Sequence, residues 1–418
     1  MKKIAIIGSG ISGITCGYHL HKEFDITVYE AGDYIGGHTN TIEVEDETGK
    51  VNVDTGFIVF NDWTYPNFIK MLTDCGVESQ LSDMSFSVKN EHTGLEYNGT
   101  SLNTLFAQRS NLFKPSFWKI IREILRFNKL SLQWLKENHD EKITLEEFLK
   151  ENHFNQKFID NYAYPITAAI WSASQETVMK FPLKFFLTFF KNHGMLSVDE
   201  RPQWRVIKGG SKSYIPHFTK GWEDKIKLNT PVQAVKRDNN KVFIRTEAET
   251  VEFDGVIFAC HSDQALRMLE PPTKLEKELL WAIPYQKNEA VLHTDSNVLP
   301  KKKLAWAAWN YHIAPSIKDD VAVTYNMNIL QSLKTTKNYN VTLNYTEAID
   351  ESKIIKKIQY SHPLFTSEGV KAQQRHSEIS GVNNTFYCGA YWRYGFHEDG
   401  VFSGIRAAEQ VKKRFHHE

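Results

Sequence analysis

A glycine pattern near the start of the chain restricts its fold more than any other feature. An uninterrupted apolar run, Ile4–Ile7, leads into Gly8-Ser9-Gly10-Ile11-Ser12-Gly13. Such a run is typical of a central parallel strand that is covered on both faces. In the turn that follows, Gly8 permits a tight bend, Gly10 lets the backbone approach a pyrophosphate, and Gly13 allows the helix to pack closely on the strand. The pattern predicts a strand–turn–helix unit that binds a dinucleotide.

The next strand of this unit ends in an acid. Glu30 follows the run Asp25–Tyr29, and a carboxylate at this position can accept hydrogen bonds from both hydroxyls of a ribose. It argues against a ligand with a 2′-phosphate. We expect the intervening helix to run from about Ile11 to Lys22 and to direct its N-terminal N–H groups at the phosphates.

A second glycine pair follows the acid. Gly36-Gly37-His38-Thr39 lies just beyond the second predicted strand and can present further N–H groups to a pyrophosphate. A simple nicotinamide enzyme does not need this addition. The stretch Val51–Phe60 then indicates a strand, a tight turn and another strand, with Gly56 in the turn.

Composition indicates a globular enzyme rather than a nucleic-acid-binding or disulfide-rich protein. The chain has 418 residues, which predicts about two domains, and its 50 basic and 50 acidic residues give no net charge to attract nucleic acid. The four cysteines are widely spaced, so we expect no disulfide framework and no metal site. Glycines interrupt the N-terminal apolar stretch, and no apolar run is long enough to span a bilayer. We therefore expect a cytoplasmic protein.

The chain alternates between two kinds of pattern. Helical periodicity extends from Phe113 to about Lys150, and strand patterns return near Ile226 and again between Ala290 and Asn344. We predict a discontinuous nucleotide-binding domain and a substrate-binding domain made of a helical insertion and a second sheet. The expected boundaries are residues 1–62, 201–270 and 380–418 for the first domain, and 63–200 and 271–379 for the second.

Two segments of the insertion have alternative interpretations. In the predicted helix from Phe117 to Lys129, we place Phe117, Ile120, Ile121, Ile124 and Leu125 on a side that covers a core, with basic residues facing solvent. The alternative is a helix that lies on a membrane surface and gives access to lipid acyl chains. The run of phenylalanines between Phe181 and Phe190 is more typical of a core than of a substrate tunnel.

Three motifs together resemble one family. They are Gly8–Glu30 with Gly36-Gly37, the stretch Asn229-Thr230-Pro231-Val232, and the C-terminal segment from Gly389 to Gly404. Through these motifs, the chain resembles the flavin-containing amine oxidoreductase superfamily. The resemblance implies an α/β fold with a discontinuous Rossmann-like FAD-binding domain of the glutathione-reductase/amine-oxidase type, an inserted substrate domain of sheet plus helices, and FAD as the cofactor.

The resemblance also implies where FAD binds. The turn around Gly56 is expected near the isoalloxazine, Val232 beside the adenine, and the N-terminus of a last helix, beginning near Gly400–Val401, at the pyrimidine ring of the flavin. The residues expected to bind the cofactor are Gly8, Ser9, Gly10, Ile11, Ser12, Gly13, Glu30, Ala31, Gly36, Gly37, His38, Thr39, Thr55, Gly56, Phe57, Val232, Ala259, Gly389, Gly400 and Val401.

Within the superfamily, the chain resembles a bacterial group of NAD/FAD-binding proteins. Strings such as Asp54–Asn61, Arg201–Arg205 and Gly395–Gly400 carry this resemblance. The group is commonly encoded beside methyltransferases that resemble cyclopropane-fatty-acid synthase. This implies an oxidation on a lipid acyl chain, with a lipid methyltransferase as a partner. Peripheral contact with a membrane fits such a substrate, and no nucleic-acid partner is expected.

One departure from the superfamily bears on the reaction. Its amine oxidases typically carry a lysine that faces the flavin N5 through a water. The corresponding segment here, Gln286–His293, offers Asn288 or Glu289, with Lys287 as the alternative if the register is shifted. Without the lysine, desaturation or another hydride abstraction becomes more attractive than oxidation of a small amine.

The remaining polar candidates lie in or near the C-terminal motif. His397, Glu398 and Asn288 are the candidates for catalysis, and Asp399 is expected to cap the last helix. His261, Arg393 and Trp392 are further polar residues near the reacting carbon. We predict an FAD-dependent oxidoreductase that removes a hydride from an organic substrate. The alternatives are an amine oxidase, a redox-neutral flavin isomerase, and a non-catalytic flavin-binding partner of a lipid methyltransferase.

Overall fold

The computed structural model describes residues 1–137, 143–197, 200–316 and 321–416. The predicted helical stretch from Phe113 to Lys150 passes through residues 138–142, which lie outside the described residues. The strands are β1 Lys3–Ile7, β2 Asp25–Tyr29, β3 Thr41–Asp46, β4 Gly49–Asp54, β5 Val59–Asn61, β6 Ser79–Leu81, β7 Phe86–Asn90, β8 Leu95–Asn98, β9 Trp204–Ile207, β10 Ile226–Lys227, β11 Ala234–Asp238, β12 Lys241–Arg245, β13 Thr250–Phe253, β14 Gly255–Phe258, β15 Leu269–Glu270, β16 Tyr285–His293, β17 Trp309–Ile313, β18 Ala322–Asn326, β19 Asn340–Leu343, β20 Ile354–Pro363 and β21 Thr385–Tyr387.

The helices lie between some of these strands and after the last one. The α-helices are α1 Ile11–Leu20, α2 Pro66–Asp74, α3 Leu102–Leu105, α4 Pro115–Lys136, α5 Leu145–Glu151, α6 Gln156–Phe158, α7 Tyr164–Trp171, α8 Gln175–Met179, α9 Leu183–Asn192, α10 Ile215–Phe218, α11 Ser262–Met268, α12 Lys274–Trp281, α13 Met327–Leu330, α14 Ser367–Gln374 and α15 His397–His416. Among the residues that the structure describes, no helix is both long enough and apolar enough to cross a membrane.

A parallel five-stranded sheet receives strands from three distant parts of the chain. Its order is β10-β2-β1-β14-β21. In the middle of the sheet Ile4 pairs with Ile26 on one side and with Gly255 on the other. The central strands are buried because helices and a second sheet cover both faces, as the uninterrupted apolar run predicted. The first motif and the C-terminal motif therefore meet at the carboxyl edge of one sheet. The domain boundaries given above remain a prediction.

The first and last helices cross at glycines. A Cβ on Gly404 would lie 2.6 Å from the Ser12 carbonyl oxygen, and a Cβ on Gly400 would lie 2.6 Å from a methyl of Ile11. Only residues without a side chain allow the two backbones to approach this closely. This crossing holds the N-termini of α1 and α15 side by side.

A seven-stranded sheet forms the second large layer. Its order is β20-β16-β19-β18-β17-β7-β8, and β20 pairs antiparallel with β16. Helices α4 to α9 pack beside it around a cluster of buried aromatic side chains. That cluster includes Phe181, Phe185, Phe186, Phe189 and Phe190, so the core interpretation of this run is confirmed.

Four local expectations are wrong. The last helix begins at His397, three residues before Gly400, because Asp399 reaches back to accept the Phe396 N–H and starts the first turn there. The run Thr230–Val235 predicts a strand, but Thr230–Gln233 is irregular and the strand begins only at Ala234. Leu125 is exposed on α4 rather than packed with Ile120. The apolar run Ala305–Trp309 predicts a strand, but a helical turn over Lys303–Ala305 and a loop precede β17, which begins only at Trp309. Thr144 and Glu147 have the spacing that predicts a capping box, and the structure confirms it at the start of α5.

Candidate functional site

The glycine turn and Glu30 form one hydrogen-bonded unit. The Glu30 carboxylate accepts bonds from the Ser9 N–H at 2.9 Å, the Ser9 hydroxyl at 2.6 Å and the Gly32 N–H at 2.8 Å. Gly8 has a φ of +105°, and a Cβ on Gly13 would lie 2.0 Å from the Gly8 carbonyl oxygen. The turn therefore requires glycine at both positions. A carboxylate offers about four lone-pair directions, so Glu30 keeps capacity for a ligand hydroxyl.

The second glycine pair lies directly against the first turn. The Gly36 N–H donates to the Ser9 carbonyl at 3.0 Å, and a Cβ on Gly37 would lie 3.4 Å from the Gly10 Cα. A Cβ on Gly10 itself would have no atom of the described residues within 4 Å. The three glycines therefore border an open space in front of the N-terminus of α1, where unpaired helix N–H groups favour an anion.

The turn around Gly56 joins this cradle to the far end of the chain. A Cβ on Gly56 would lie 2.2 Å from the His38 carbonyl oxygen, which also accepts the Phe57 N–H at 2.7 Å. The Phe57 ring stacks on the His397 ring, with centroids 3.6 Å apart and planes 6° apart. The Thr55 hydroxyl lies 3.2 Å from the Tyr360 hydroxyl. Residues from the first motif, the last motif and β20 thus surround one position.

His397 is a buried, neutral side chain. Its Nε2 lies 2.9 Å from the Tyr214 hydroxyl, which lies 2.6 Å from the Thr39 hydroxyl. Burial lowers the pKa of His397 to about 3, so it carries no charge at neutral pH. The Phe57 stack and the Tyr214 contact hold its ring in place, which suits a wall residue of the site better than a proton acceptor.

Glu398, the second candidate, caps a neighbouring helix. Its carboxylate accepts the Asn67 N–H at 3.2 Å, the Asn67 side-chain amide at 2.6 Å and the Phe68 N–H at 2.9 Å, all at the N-terminus of α2. These bonds satisfy backbone donors that α2 leaves unpaired. Burial raises the pKa of Glu398. The geometry gives Glu398 a structural role between α2 and α15.

Asp399 lies inside the first turn of α15, not at the N-cap position that we expected. Its carboxylate accepts the Phe396 N–H at 2.9 Å and lies 3.5 Å from the Arg393 guanidinium. Burial raises its pKa to about 7, although Arg393 opposes the shift. A cavity of about 50 Å³ beside it is lined by Thr64, Tyr65, Asn192, His193, Arg393, Tyr394, Phe396, Glu398 and Asp399.

The raised pKa of Asp399 predicts a dependence of stability on pH. Between about pH 4 and pH 7 the folded protein binds a proton at Asp399 that the unfolded chain has lost, so the free energy of unfolding falls as the pH rises. The Asp399→Asn variant keeps the acceptor for Phe396 and cannot ionise. We expect equal stability at pH 4 and a variant more stable by up to about 4 kcal/mol at pH 8, in denaturant titrations across this range. Asp83→Asn, at an exposed carboxylate, is the control, and parallel pH curves for wild type and Asp399→Asn would contradict the assignment.

The third candidate, Asn288, lies at the centre of a directed network. Asn344 donates its amide hydrogen to the Asn288 oxygen at 2.7 Å, which turns the Asn288 nitrogen toward His362 Nδ1 at 3.0 Å. An amide nitrogen can only donate, so His362 Nδ1 accepts, and the ring hydrogen is assigned to Nε2. Burial lowers the pKa of His362 to about 4. The network therefore presents a neutral imidazole N–H donor.

Two more histidines approach this network. The His38 ring lies 5.3 Å from that of His362 and stacks on Tyr360 at 4.7 Å. The His261 ring stacks on Tyr285 at 4.4 Å. Burial lowers the pKa of His38, and the neighbouring histidines lower it further. The space between the nucleotide cradle and the large sheet is thus lined by neutral imidazoles.

The strand β16 decides between the candidates in its segment. Asn288 is buried, whereas Lys287 is exposed and Glu289 turns away to accept bonds from Thr346 and Gln359. Alternation along a strand places neighbours on opposite faces, so Lys287 cannot take the inward position. The alternative register, in which Lys287 would take the inward position of Asn288, is therefore wrong.

Some predicted residues lie at the margin of the site. Ala31 is exposed, and Val232 packs in the loop before β11. Ala259 lies against the first turn, since a Cβ on Gly8 would be 2.7 Å from its carbonyl oxygen. Arg393 lies over the Phe402 ring at the surface, and the Gly389 N–H donates to the Ser403 hydroxyl at 3.0 Å.

Tyr360, His362 and Tyr214 are site residues that the sequence did not indicate. Tyr360 and His362 lie on β20, whose register places Tyr360 opposite Asn288 and His362 opposite Gln286. No motif marks these residues, because their position depends on the pairing of strands that are distant in sequence. Alternation along β20 is the local signal that could have grouped Tyr360 with His362.

The fold and the cradle define a class. A parallel sheet with a glycine cradle and an acid at the end of its second strand, joined to a large second sheet and helices, is the architecture of flavin-dependent oxidoreductases. The model of the flavin containing amine oxidoreductase family matches residues 11–301. The chain belongs to this family, which confirms the predicted α/β fold, the FAD cofactor and the general class of enzyme.

Individual relatives are distant. The chain is 22% identical to the L-amino-acid oxidase of Bungarus fasciatus over 314 residues, which cover 66% of this chain and 54% of that enzyme. The chain spans about half the length of the curated relatives it matches.

Solved structures share the fold over nearly the whole chain. The cyclohexylamine oxidase from Brevibacterium oxydans IH-35A has a TM-score of 0.73 at 15% identity, with 99% of both chains covered. The CLA-producing fatty acid isomerase from P. acnes has a TM-score of 0.68 at 15% identity, with the same coverage. At this identity, the likeness establishes the architecture alone.

The residues present fit FAD. Gly10 faces open space where a pyrophosphate has to approach, and Glu30 has acceptor capacity left for a ribose. His38 Nε2 is buried and has no hydrogen-bond partner among the described residues. Buried polar groups normally find a partner, so this atom is consistent with a polar ligand at the site.

Proposed function

We propose that the protein is an FAD-dependent oxidoreductase that removes a hydride from an organic substrate without an ammonium group at its reacting end. A lipid acyl chain is the substrate class that we favour. The observation that carries the proposal is the identity of the buried residue on β16: it is Asn288, whose amide orients His362, and not a lysine. A neutral N–H donor suits a substrate oxygen better than an ammonium group, which needs acceptors.

Bound FAD supplies a hydride acceptor. The protein holds it through the Gly10 cradle and Glu30, and the N-terminal dipole of α15 favours negative charge on the bound ring. His362 binds the substrate through Nε2–H. Asn288 is a positioning residue that keeps this hydrogen on Nε2.

The surroundings of the C-terminal motif are apolar, because the packed aromatic core lies against it. In the aromatic cluster, the ring centroid of Phe185 lies 4.7 Å from that of Tyr394, and the ring centroid of Phe189 lies 4.9 Å from that of Phe396. Trp171 donates its indole N–H to the Tyr394 carbonyl at 3.3 Å. Buried aromatic rings therefore border the motif. A fatty acid isomerase with this fold is consistent with an acyl substrate.

A redox-neutral isomerase is the second candidate. It is favoured by the same fold in the CLA-producing fatty acid isomerase. In that case the flavin would be unchanged after turnover. An amine oxidase is the third, since an amino-acid oxidase and a cyclohexylamine oxidase are among the similar proteins.

Anaerobic flavin reduction separates these candidates. The yellow holoenzyme is mixed without oxygen with phospholipids and free fatty acids on one side and with alkylamines and amino acids on the other. We expect loss of flavin absorbance with an acyl substrate only. Reduction by amines alone would overturn the proposal in favour of an amine oxidase. Product formation only after prior reduction of the flavin would favour the isomerase.

The Asn288 network gives a sharper prediction. In Asn288→Asp the carboxylate still accepts from Asn344 but can no longer donate to His362 Nδ1, so the ring hydrogen moves to Nδ1 and Nε2 loses its donor. We expect reduction of the flavin by substrate to slow by about 100-fold, with unchanged FAD content. Glu289→Gln, one residue away on the outer face of β16, is the control. Equal rates in wild type and Asn288→Asp would contradict this role.

We further propose a cytoplasmic location and a lipid methyltransferase as partner. The resemblance to the bacterial group encoded beside such enzymes supports both. Affinity purification of the tagged chain from its native cells is the test, since a stable partner would be retained with the flavoprotein. Recovery of the flavoprotein without any methyltransferase would overturn the partnership.

A further inference from the structure

One surface of the helical region exposes apolar side chains from three chain segments. Leu102 of α3 is 77% exposed, Phe113 of the adjoining helical turn is 86% exposed and Trp118 of α4 is 43% exposed. Leu112 and Leu304 are exposed beside them. Isolated exposed apolar residues are common, but a group from separate segments that meet at the surface indicates an interaction site.

Contacts between the segments make this a single surface. Helix α3 packs against the turn Lys303–Ala305, and α4 packs against the turn Arg109–Phe113. The Trp118 indole donates to the Leu112 carbonyl at 2.9 Å, and its ring lies 5.2 Å from Phe106. The apolar side chains are therefore held outward by a folded framework.

Cations border the same surface. We name it the apolar–basic face, and its residues are Leu102, Leu112, Phe113, Trp118 and Leu304 with Arg109, Lys114, Lys119, Arg122, Lys301, Lys302 and Lys303. Residues 101–122 and 296–306 contain no aspartate or glutamate, although the whole chain has as many acidic as basic residues. Among the described residues, none of these seven lysines and arginines forms an ion pair, and the Arg109 guanidinium donates to Asn103 and to the Phe106 carbonyl. Positive charge is thus concentrated here despite a net charge of zero.

We propose that the apolar–basic face docks the protein on an anionic lipid membrane. Phe113, Leu102 and Trp118 would enter the boundary between head groups and acyl chains, while the surrounding lysines and arginines approach lipid phosphates. The face projects its apolar side chains instead of enclosing a groove, which suits a soft lipid boundary. A second copy of the chain would bring like charges together, so self-association through this face is disfavoured.

Vesicle sedimentation tests the docking. The holoenzyme is mixed with vesicles of phosphatidylcholine alone or with added phosphatidylglycerol, at low and high salt. We expect sedimentation with the anionic vesicles only, and its loss at high salt, because salt screens exposed charges. The Phe113→Asp variant should partition at least about 10-fold less. Lys302→Glu with Lys303→Glu should reduce partition on anionic vesicles as well.

A matched substitution controls for general effects of exposed apolar residues. Trp281 of α12 is 77% exposed and lies outside the apolar–basic face, so Trp281→Asp should sediment like wild type. Flavin content and thermal unfolding confirm that each variant is folded. Failure of the wild type to sediment with anionic vesicles, or full retention in Phe113→Asp, would overturn the proposal. Conversion of a dimer to a monomer by Phe113→Asp, without vesicle binding by the wild type, would instead identify a subunit interface and also overturn it.

Discussion

Replacement of Gly10 by valine is expected to remove bound FAD and to leave the apoprotein folded. A Cβ at Gly10 would meet no atom of the described residues within 4 Å, so we expect the protein to accommodate valine, whose side chain then occupies the space that the pyrophosphate needs. Each hydrogen bond to the charged pyrophosphate contributes about 1.5–3 kcal/mol. A tenfold change in affinity corresponds to about 1.4 kcal/mol, so the loss of two such bonds lowers the affinity by at least about 100-fold.

The ratio of flavin absorbance to protein and the far-UV circular dichroism together measure this outcome. Gly99→Val is the control, since a Cβ there would have its nearest neighbour, the Phe86 carbonyl oxygen, at 4.0 Å and lies outside the cradle. Unchanged FAD occupancy in Gly10→Val would show that the cofactor phosphates lie elsewhere. Loss of the circular dichroism signal would show that the open space in front of α1 is needed for folding.

Replacement of Gly404 by valine is expected to destabilise the protein and to weaken FAD binding together. A Cβ there would lie 2.6 Å from the Ser12 carbonyl oxygen and 2.8 Å from the Thr15 Cβ, so α1 and α15 have to move apart. Overpacking of this kind costs about 3 kcal/mol. Because we expect both helices to direct their N-termini at the cofactor, their separation should also weaken its binding.

Denaturant titration of the free energy of unfolding, with and without added FAD, measures both effects. Glu409→Val introduces the same residue on the exposed side of α15 and controls for the helix propensity of valine. We expect a difference of about 3 kcal/mol between the two variants. Equal stability would mean that the helices can separate without cost. The pair of glycine variants thus distinguishes loss of cofactor with an intact fold from loss of both.

Much of the nucleotide cradle could be predicted from the sequence. The turn at Gly8, the acid Glu30 and the helix that begins at Ile11 lie where the pattern placed them. Each requirement is local, since a positive φ, a short strand and a helix start depend on a few neighbouring residues. The start of α15 was misplaced because Asp399 acts from within the first turn, and a capping side chain three residues earlier or later gives the same local pattern.

The roles of the polar candidates required the fold. His397, Glu398 and Asp399 are neighbours in the chain, yet the first stacks on Phe57, the second caps α2 and the third pairs with Arg393. A helix sends successive side chains in different directions, and what each one meets depends on elements that are distant in sequence.

The sequence by itself determined that this protein carries a dinucleotide cradle of the flavoprotein kind. The tight turn and the close approach of helix and strand require glycines at fixed spacings, and the acid follows at the end of the next strand. These requirements are local to one strand–turn–helix unit and the strand that follows it. Only the tertiary structure decided which distant residues meet at the candidate site and which form the exposed apolar–basic face. The pairing of β16 with β20 brings Asn288 to His362, and the packing of α3 on the turn at Lys303 assembles the apolar–basic face. Both are contacts between segments far apart in the chain, whose register depends on burial across the whole molecule and not on any local period.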